Sequence, residues 1–400
     1  MADTVAERGL YCILPPTATK DDVVFVLSGA TVPMVFGQES RIEWDQRLLI
    51  SRWSYRFIGE WRSLTVDERV KFTQAVNCLM SSPAKYKNYW PVIENRYDDF
   101  VALHVNQTEQ SSVGWTNPDG TPGSFTPAHS HHAPGSTMES DDVHGSGSIL
   151  PWHRYAITVY EDALVNECGW TMGVPYWNWH LDTTPAGGSW LQSPIFDPIS
   201  GFGGNGAVVP KRGASPYPVT GTGGGCVATG PFANRTIRVG PFGKMVANNT
   251  RCLRRDFNPK VAENDATKKV LSRILRSKNY AEFCLRLGSL HGVGHSGIGG
   301  EVSILRGEMG DPFNSPNEPL FFLHHANLDY LWALWQEQDP KRLSDFSKQR
   351  GEEYGANTRL EMGVLAPVKL VKEVMDTQNR DQKGSLCFKY EGLSVESYSF

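Results

Sequence analysis

All eleven histidines of this 400-residue chain fall between positions 104 and 325, and their spacing is its most chemically suggestive feature. His291 and His295 are four apart, so a helix would set both imidazoles on one face, where they can grip a single ion. His324 and His325 offer a third partner on a helix expected over residues 319–336. Asp329, one turn after His325, is placed there to accept that ring's second N–H, which favours His325 over His324. His104 ends a helix expected over residues 97–105. His144 lies in a loop nine residues before His153, which enters the first turn of the next helix.

A single HxxxH pair is more often structural than metal-binding. Glycines at 292, 294, 297, 299 and 300 weaken that helix further, by up to ~1 kcal/mol each relative to alanine. The three-part pattern is what points to metal. Six neutral imidazoles with no carboxylate or thiolate suit copper better than calcium or magnesium, which prefer oxygen ligands. Zinc is the rival metal, although zinc hydrolases usually add a carboxylate ligand or a nearby glutamate base, as in HExxH, and that motif does not occur here. His129, His131 and His132 sit in a Gly/Pro/Ser-rich stretch and read as solvated loop residues, and His180 reads as structural.

The elements that must position these residues are mostly helical. Thr65-Val-Asp-Glu68 is a capping box opening a helix towards Cys78, and a helix from Leu150 should stop at Gly169. Further helices are expected over 266–290 and 319–336. The long loop 106–143 and the stretch 181–260 are rich in Gly, Pro and Ser, with short strands expected in the latter and β-like alternation over 364–374. Hydrophobic residues make up 40% and charged residues 20% of the chain, as in a soluble globular protein. A net charge of -4 without a long basic run offers no footprint for nucleic acid or anionic membranes. The apolar run 23–36 is too short to span a bilayer. Seven cysteines without a CxxC pair argue against a zinc ribbon or a thioredoxin-like site, and one thiol must remain if the others pair. Sequons begin at Asn106, Asn234 and Asn248, yet the first residues lack the basic and apolar regions of a signal peptide, so the compartment stays open.

The chain resembles the tyrosinase and catechol oxidase family of type 3 copper proteins, in particular the short fungal forms. The resemblance spans roughly residues 55–340. It is carried by Arg96-Tyr-Asp-Asp-Phe-Val-Ala-Leu-His104, by His144 ahead of Leu150-Pro-Trp-His153-Arg154, by Pro175-Tyr-Trp-Asn-Trp179, and by Pro316-Asn-Glu-Pro-Leu-Phe-Phe-Leu-His324-His325-Ala-Asn-Leu-Asp329. It implies a mainly α fold in which a four-helix bundle holds a dicopper centre, with long Gly/Pro-rich loops and a few short strands. His104, His144 and His153 would hold one copper (CuA), and His291, His295 and His325 the other (CuB). The implied layout is a lead segment at 1–52, a catalytic domain at 53–340 and a tail at 341–400 packed on it, with no shielding domain.

The implied chemistry is oxidation of small phenolic substrates by O2, each copper supplying one of the two electrons needed. Many members have a cross-linked cysteine two residues before the second CuA histidine, where this chain has Asp142. Gly292 stands where several tyrosinases have an Asn that helps activate a water as base, so oxidation of o-diphenols and o-aminophenols is expected over monophenol hydroxylation. Glu282 could supply the carboxylate of such a base, the competing reading being a helix-surface charge. Ser296 and the segment 304–306, ending in Arg306, are expected to border a fairly open substrate mouth. Tyr330 replaces an Arg that often follows the aspartate. A full tyrosinase, a haemocyanin-like oxygen carrier and a zinc hydrolase are the alternatives. No nucleic-acid or membrane partner is expected, and the chain should be a monomer or weak homodimer.

Overall fold

Local sequence sets where each helix begins. Thr65 caps α1 (Val66–Ser81): its hydroxyl accepts the Glu68 N–H at 3.2 Å while the Glu68 carboxylate accepts the Thr65 N–H at 2.7 Å, an arrangement worth about 1 kcal/mol. Asn95 and Asp98 open α2 (Arg96–Asn106) in the same way. The helix α3 (Ile149–Cys168) stops at Gly169, whose φ of 71° lies in the left-handed region that glycine tolerates. Then come α4 (Pro259–Asp265), α5 (Lys268–Leu275), α6 (Tyr280–Gly299) and α7 (Leu320–Glu337).

The structure is a computed structural model that describes residues 56–108, 143–144, 146–210, 221–245, 249–300, 306–348, 354–380, 383–394 and 398, together with the backbone of 24–27 and 30–33. The expectations for His129, His131, His132, Asp142 and residues 304–305 lie outside the described residues. The fold is mainly helical, as expected. At its centre α7 is buried from Leu320 to Gln336, as a helix apolar on all sides must be. It packs on α3 and α6, while α1 packs on α2 and α3. Among the described residues, no helix is long and apolar enough to cross a membrane.

One expected helix was too long. The stretch 266–290 divides into α5 and α6 because Asn279 caps a new helix, its side chain accepting the Glu282 N–H at 2.9 Å. Past residue 290, α6 runs on through its glycines to Gly299, and close packing explains why they are there. An added Cβ at Gly294 would lie 2.2 Å from His324 Nδ1, at Gly297 2.7 Å from Trp190, and at Gly299 1.9 Å from the Gly310 nitrogen. Tertiary approach outweighs their poor helix propensity.

Strands are short: β1 (Val24–Leu27), β2 (Ala30–Pro33), β3 (Arg56–Ile58), β4 (Gly206–Val208), β5 (Gly224–Val227), β6 (Thr236–Ile237), β7 (Arg251–Cys252), β8 (Arg359–Leu360), β9 (Lys369–Leu370) and β10 (Phe388–Tyr390). Among the described residues they form five two-stranded sheets, of which β3–β10 alone is parallel. That pairing brings residues 388–390 back against the first described strand of the helical body. The alternation over 364–374 yields only β9 and a short 3-10 turn at Val371–Glu373. Disulfides join Cys78 to Cys168, tying the ends of α1 and α3, and Cys226 to Cys252, tying β5 to β7. Cys284 on α6 keeps its thiol.

Candidate metal centre

Four helices bring histidines together at the middle of the fold. His104 ends α2, His153 lies in the first turn of α3, His291 and His295 share a face of α6, and His324 and His325 sit on α7. Their ring nitrogens form two groups: His104, His144 and His153 (group A), and His291, His295, His324 and His325 (group B), in each of which the candidate ligand atoms lie within 4.8 Å of one another. The groups adjoin. The His153 and His325 rings stack with centroids 3.9 Å apart and planes 7° from parallel, and Phe321 packs against both His104 and His325 at 5.0 and 4.3 Å.

Backbone carbonyls set which nitrogen faces inward. His104 Nδ1 is 2.8 Å from the Phe313 carbonyl, His153 Nδ1 is 2.7 Å from that of Ile149, and His295 Nδ1 is 2.9 Å from that of Met309. A carbonyl only accepts, so each Nδ1 carries the proton and each Nε2 presents a lone pair to the centre. The Nε2 atoms duly converge, His104 on His144 at 3.2 Å and His295 on His291 at 2.9 Å. The Nε2 atoms of His153, His324 and His325 are buried without a protein partner, which is costly unless something else binds them. Burial lowers the His104 imidazole to about 3 and that of His295 to about 4. Burial, then neighbouring imidazoles, pushes His144, His153, His291 and His325 well below the usual histidine value. Neutral rings with inward lone pairs are what a soft divalent or monovalent metal needs, and an all-imidazole donor set fits copper.

The two α7 histidines differ. The Trp179 indole N–H donates to His324 Nδ1 at 3.2 Å, and that ring lies against Gly294. His325 instead faces His153 across the boundary between the groups.

Several expected roles need correction. Asp329 does not orient His325: one carboxylate oxygen accepts from Arg154 Nε at 2.5 Å and the other from the Tyr390 hydroxyl at 2.6 Å. A completely buried guanidinium needs such a partner, and Arg154 directly follows His153. Glu282 lies on the first turn of α6, where it accepts the Lys278 N–H and pairs with Arg286. Nine residues of continuous helix carry it about 13 Å along the axis from His291. The helix-surface reading is therefore the right one. Arg306 adds no loose cation to a substrate mouth, because it pairs with Asp256 at 2.8 Å and donates to the carbonyls of Val209 and Gly223. Ser296 is half-buried on α6, immediately after His295.

Gly292, next to His291, has nothing within 4 Å of an added Cβ. Tyr330 stacks on Tyr176 at 4.3 Å, Arg154 having met the charge of Asp329. His180 is structural as read, its Nδ1 2.6 Å from the Ala266 carbonyl. A separate cavity of about 440 Å³, lined by residues including Asn77, Glu94 and Arg235, touches none of the histidines. Sequence reasoning missed Trp179, Phe321 and the carbonyls of Met309 and Phe313. Phe321 alone carried a signal, standing four residues before His325 on the same helical face.

Helical architecture and two all-histidine groups together are those of the type 3 copper class. The common central domain of tyrosinase matches residues 94–338, and the chain belongs to the tyrosinase family. It is 34% identical over 355 residues to the tyrosinase-like protein phomQ1 of Diaporthe leptostromiformis, covering 83% of this chain and 76% of that one. N-acetyl-6-hydroxytryptophan oxidase ivoB of Emericella nidulans is 31% identical, covering 83% and 91%. A point mutant of polyphenol oxidase from Thermothelomyces thermophila superimposes with a TM-score of 0.62 at 28% identity, covering 86% of this chain and 92% of that one.

Proposed function

We propose that the chain oxidises o-diphenols and o-aminophenols with O2 and hydroxylates monophenols only weakly. His104, His144 and His153 would hold one copper, and His291, His295 and His325 the other. Residues 53–340 form the catalytic domain, with 1–52 as a lead segment and 341–400 as a tail on the same body. Two coppers bound there would pass electrons from the phenol to O2. The chain's own part is to hold six rings neutral, to fix the Nδ1 protons of His104, His153 and His295 on carbonyls and to keep their Nε2 atoms directed inward.

The observation that carries the preference is the setting of Gly292. It leaves the space beside His291 open, and Glu282 is turned away into a pair with Arg286. Hydroxylating a monophenol needs a base near the metals to take the phenol proton, and neither position supplies one. A catechol or an o-aminophenol, more acidic or already bearing two donor atoms, depends on that base less. Similarity to ivoB, an N-acetyl-6-hydroxytryptophan oxidase, also favours a small hydroxyaromatic substrate.

The test is oxygen uptake by copper-loaded protein with catechol, o-aminophenol and tyrosol side by side, metal content being measured on the same sample. Fast catechol and slow tyrosol turnover with two coppers per chain is the expected result. Fast tyrosol hydroxylation would make the protein a full tyrosinase, and copper binding without turnover an oxygen carrier. Gly292→Asn should raise the tyrosol-to-catechol ratio several-fold, and an unmoved ratio would remove the argument from Gly292.

A further inference from the structure

Two histidines from different groups lean on one short piece of backbone. His295 Nδ1 meets the Met309 carbonyl at 2.9 Å, and His104 Nδ1 meets the Phe313 carbonyl at 2.8 Å, four residues further on. Both contacts are made by main-chain carbonyls of this piece. Its influence runs through the main chain, and the surrounding structure holds that main chain unusually firmly.

Two buried carboxylates do the holding. Glu308, just before the segment and fully buried, accepts from Arg251 at 2.6 and 3.0 Å and from Arg254 at 3.3 Å. Asp311, also fully buried, accepts the N–H of Phe242 at 2.6 Å, of Phe313 at 3.0 Å and of Asn314 at 3.2 Å. One Asp311 oxygen thus fixes the peptide next to the carbonyl that orients His104, while the other ties the segment to the 240–243 turn. Arg251 adjoins Cys252, whose disulfide to Cys226 anchors β7. Against α6 the fit is equally close: a Cβ on Gly299 would lie 1.9 Å from the Gly310 nitrogen, and the Gly307 N–H donates to the Gly299 carbonyl at 3.0 Å. The far end is held to α2, where the Tyr97 hydroxyl donates to the Pro316 carbonyl at 2.7 Å. Tyr97 stands two turns before His104 on the same helix.

We propose that residues 309–313 form a shared orienting strap, which sets the tautomer and ring angle of one histidine in each metal group, and that Glu308 and Asp311 are its positioning residues. The proposal rests on the dicopper reading above. Carbonyl partners of ligating imidazoles fix ring direction and raise ligand basicity, and losing such partners typically costs about 10–100-fold in metal affinity. A strap common to both groups makes a distinctive demand: loosening it weakens both coppers together, although its two carbonyls serve rings on different helices.

The experiment compares full-length wild type, Glu308→Gln, Asp311→Asn and Arg380→Gln. The last breaks the ion pairs of Arg380 with Asp376 and Glu337, more than three turns beyond His325 along α7. Copper per chain is followed against increasing chelator, and thermal midpoints are taken metal-free and copper-loaded. Wild type should hold two coppers. Both strap variants should release both coppers at about 10–100-fold lower chelator, and the rise in midpoint that copper brings should shrink. Arg380→Gln should lower both midpoints and leave that rise intact. Glu308→Gln keeps an acceptor for Arg251, so it remains informative if Asp311→Asn does not fold. Loss of one copper only would show that the strap is not shared. A lowered metal-free midpoint with an unchanged copper-induced rise and unchanged retention would reduce both residues to ordinary supports. If wild type itself held fewer than two coppers, the dicopper reading would fall first and the strap with it.

Discussion

His291 and His295 stand one turn apart on α6 and His325 on α7, whereas His104, His144 and His153 come from the end of one helix, the start of another and the stretch between them. Group B is mostly a property of one helix face and is kept in shape by the packing of α6 on α7. Group A exists only once α2 and α3 have met. The first kind of site can be written locally in sequence, while the second depends on long-range assembly. The two nonetheless share features that local spacing does not explain: a stacked ring pair across their boundary, and a buried ion pair beside it.

The largest effect should come from the ligands themselves. Replacing His295 or His153 by Ala should lower oxygen consumption by more than about 100-fold, beyond the usual loss from an outer partner, in a chain whose circular dichroism is largely unchanged. Full retained activity in either would sink that residue's assignment. Next, Asp329→Ala leaves the Arg154 guanidinium buried and unpaired between α3 and α7, a change expected to cost about 3–5 kcal/mol. Denaturant unfolding should register it, and copper should be lost from both groups because Arg154 follows His153 and Asp329 is one turn from His325. Loss from a single group would mean that the two sites are mechanically separate.

Gly294→Ala is a narrower probe. Its Cβ would meet the His324 ring at 2.2 Å, an overpacking worth about 1–3 kcal/mol, and it should disturb group B while sparing group A. Equal disturbance of both would contradict the division into local and assembled sites.

The smallest effect concerns pH in the metal-free chain. The folded His104 and His295 imidazoles lie at about 3 and about 4 because burial disfavours their charged forms. The unfolded chain therefore binds more protons wherever the pH is below about 6.5 and above these values. Stability is full above that upper limit and falls as the pH drops through the window, by up to about 1.4 kcal/mol per pH unit for each ring. Thermal midpoints of chelator-treated protein between pH 7 and 4 should decline accordingly, and those of copper-loaded protein should hold to lower pH. A flat metal-free profile would show that these rings are better solvated than their burial implies.

The same contrast governs what could be read from the sequence. The HxxxH of group B follows from helical periodicity alone, and the Thr65–Glu68 cap and the Gly169 stop are equally local. His144 has no such periodic signature, only its place in a loop nine residues before His153, and its assignment to one copper came through the family resemblance. The break between α5 and α6 was in fact written in the chain, as Asn279 followed three residues later by Glu282, a capping signal hidden by the apolar pattern on either side. Glu282 was misjudged for the same reason, since a continuous helix after Asn279 carries it away from His291. The reassignment of Asp329 could not have been foreseen from helical spacing, because its partners Arg154 and Tyr390 are 175 and 61 residues distant. Carbonyl partners such as those of Met309 and Phe313 leave no trace in side-chain type at all.

Gln107 and Val143 lie 36 positions apart in the chain yet are neighbours in the fold: the Val143 N–H donates to the Gln107 carbonyl at 3.4 Å. The two points make a doorway one hydrogen bond wide, beside His104 and His144. Joining two such points through a flexible chain costs only about 0.6 kcal/mol more for each doubling of its length. Changing the number of residues between them should therefore leave the distance between His104 and His144 nearly untouched. The doorway is thus a natural grafting point, where evolution or an engineer can add a recognition element without rebuilding the frame that holds the histidines.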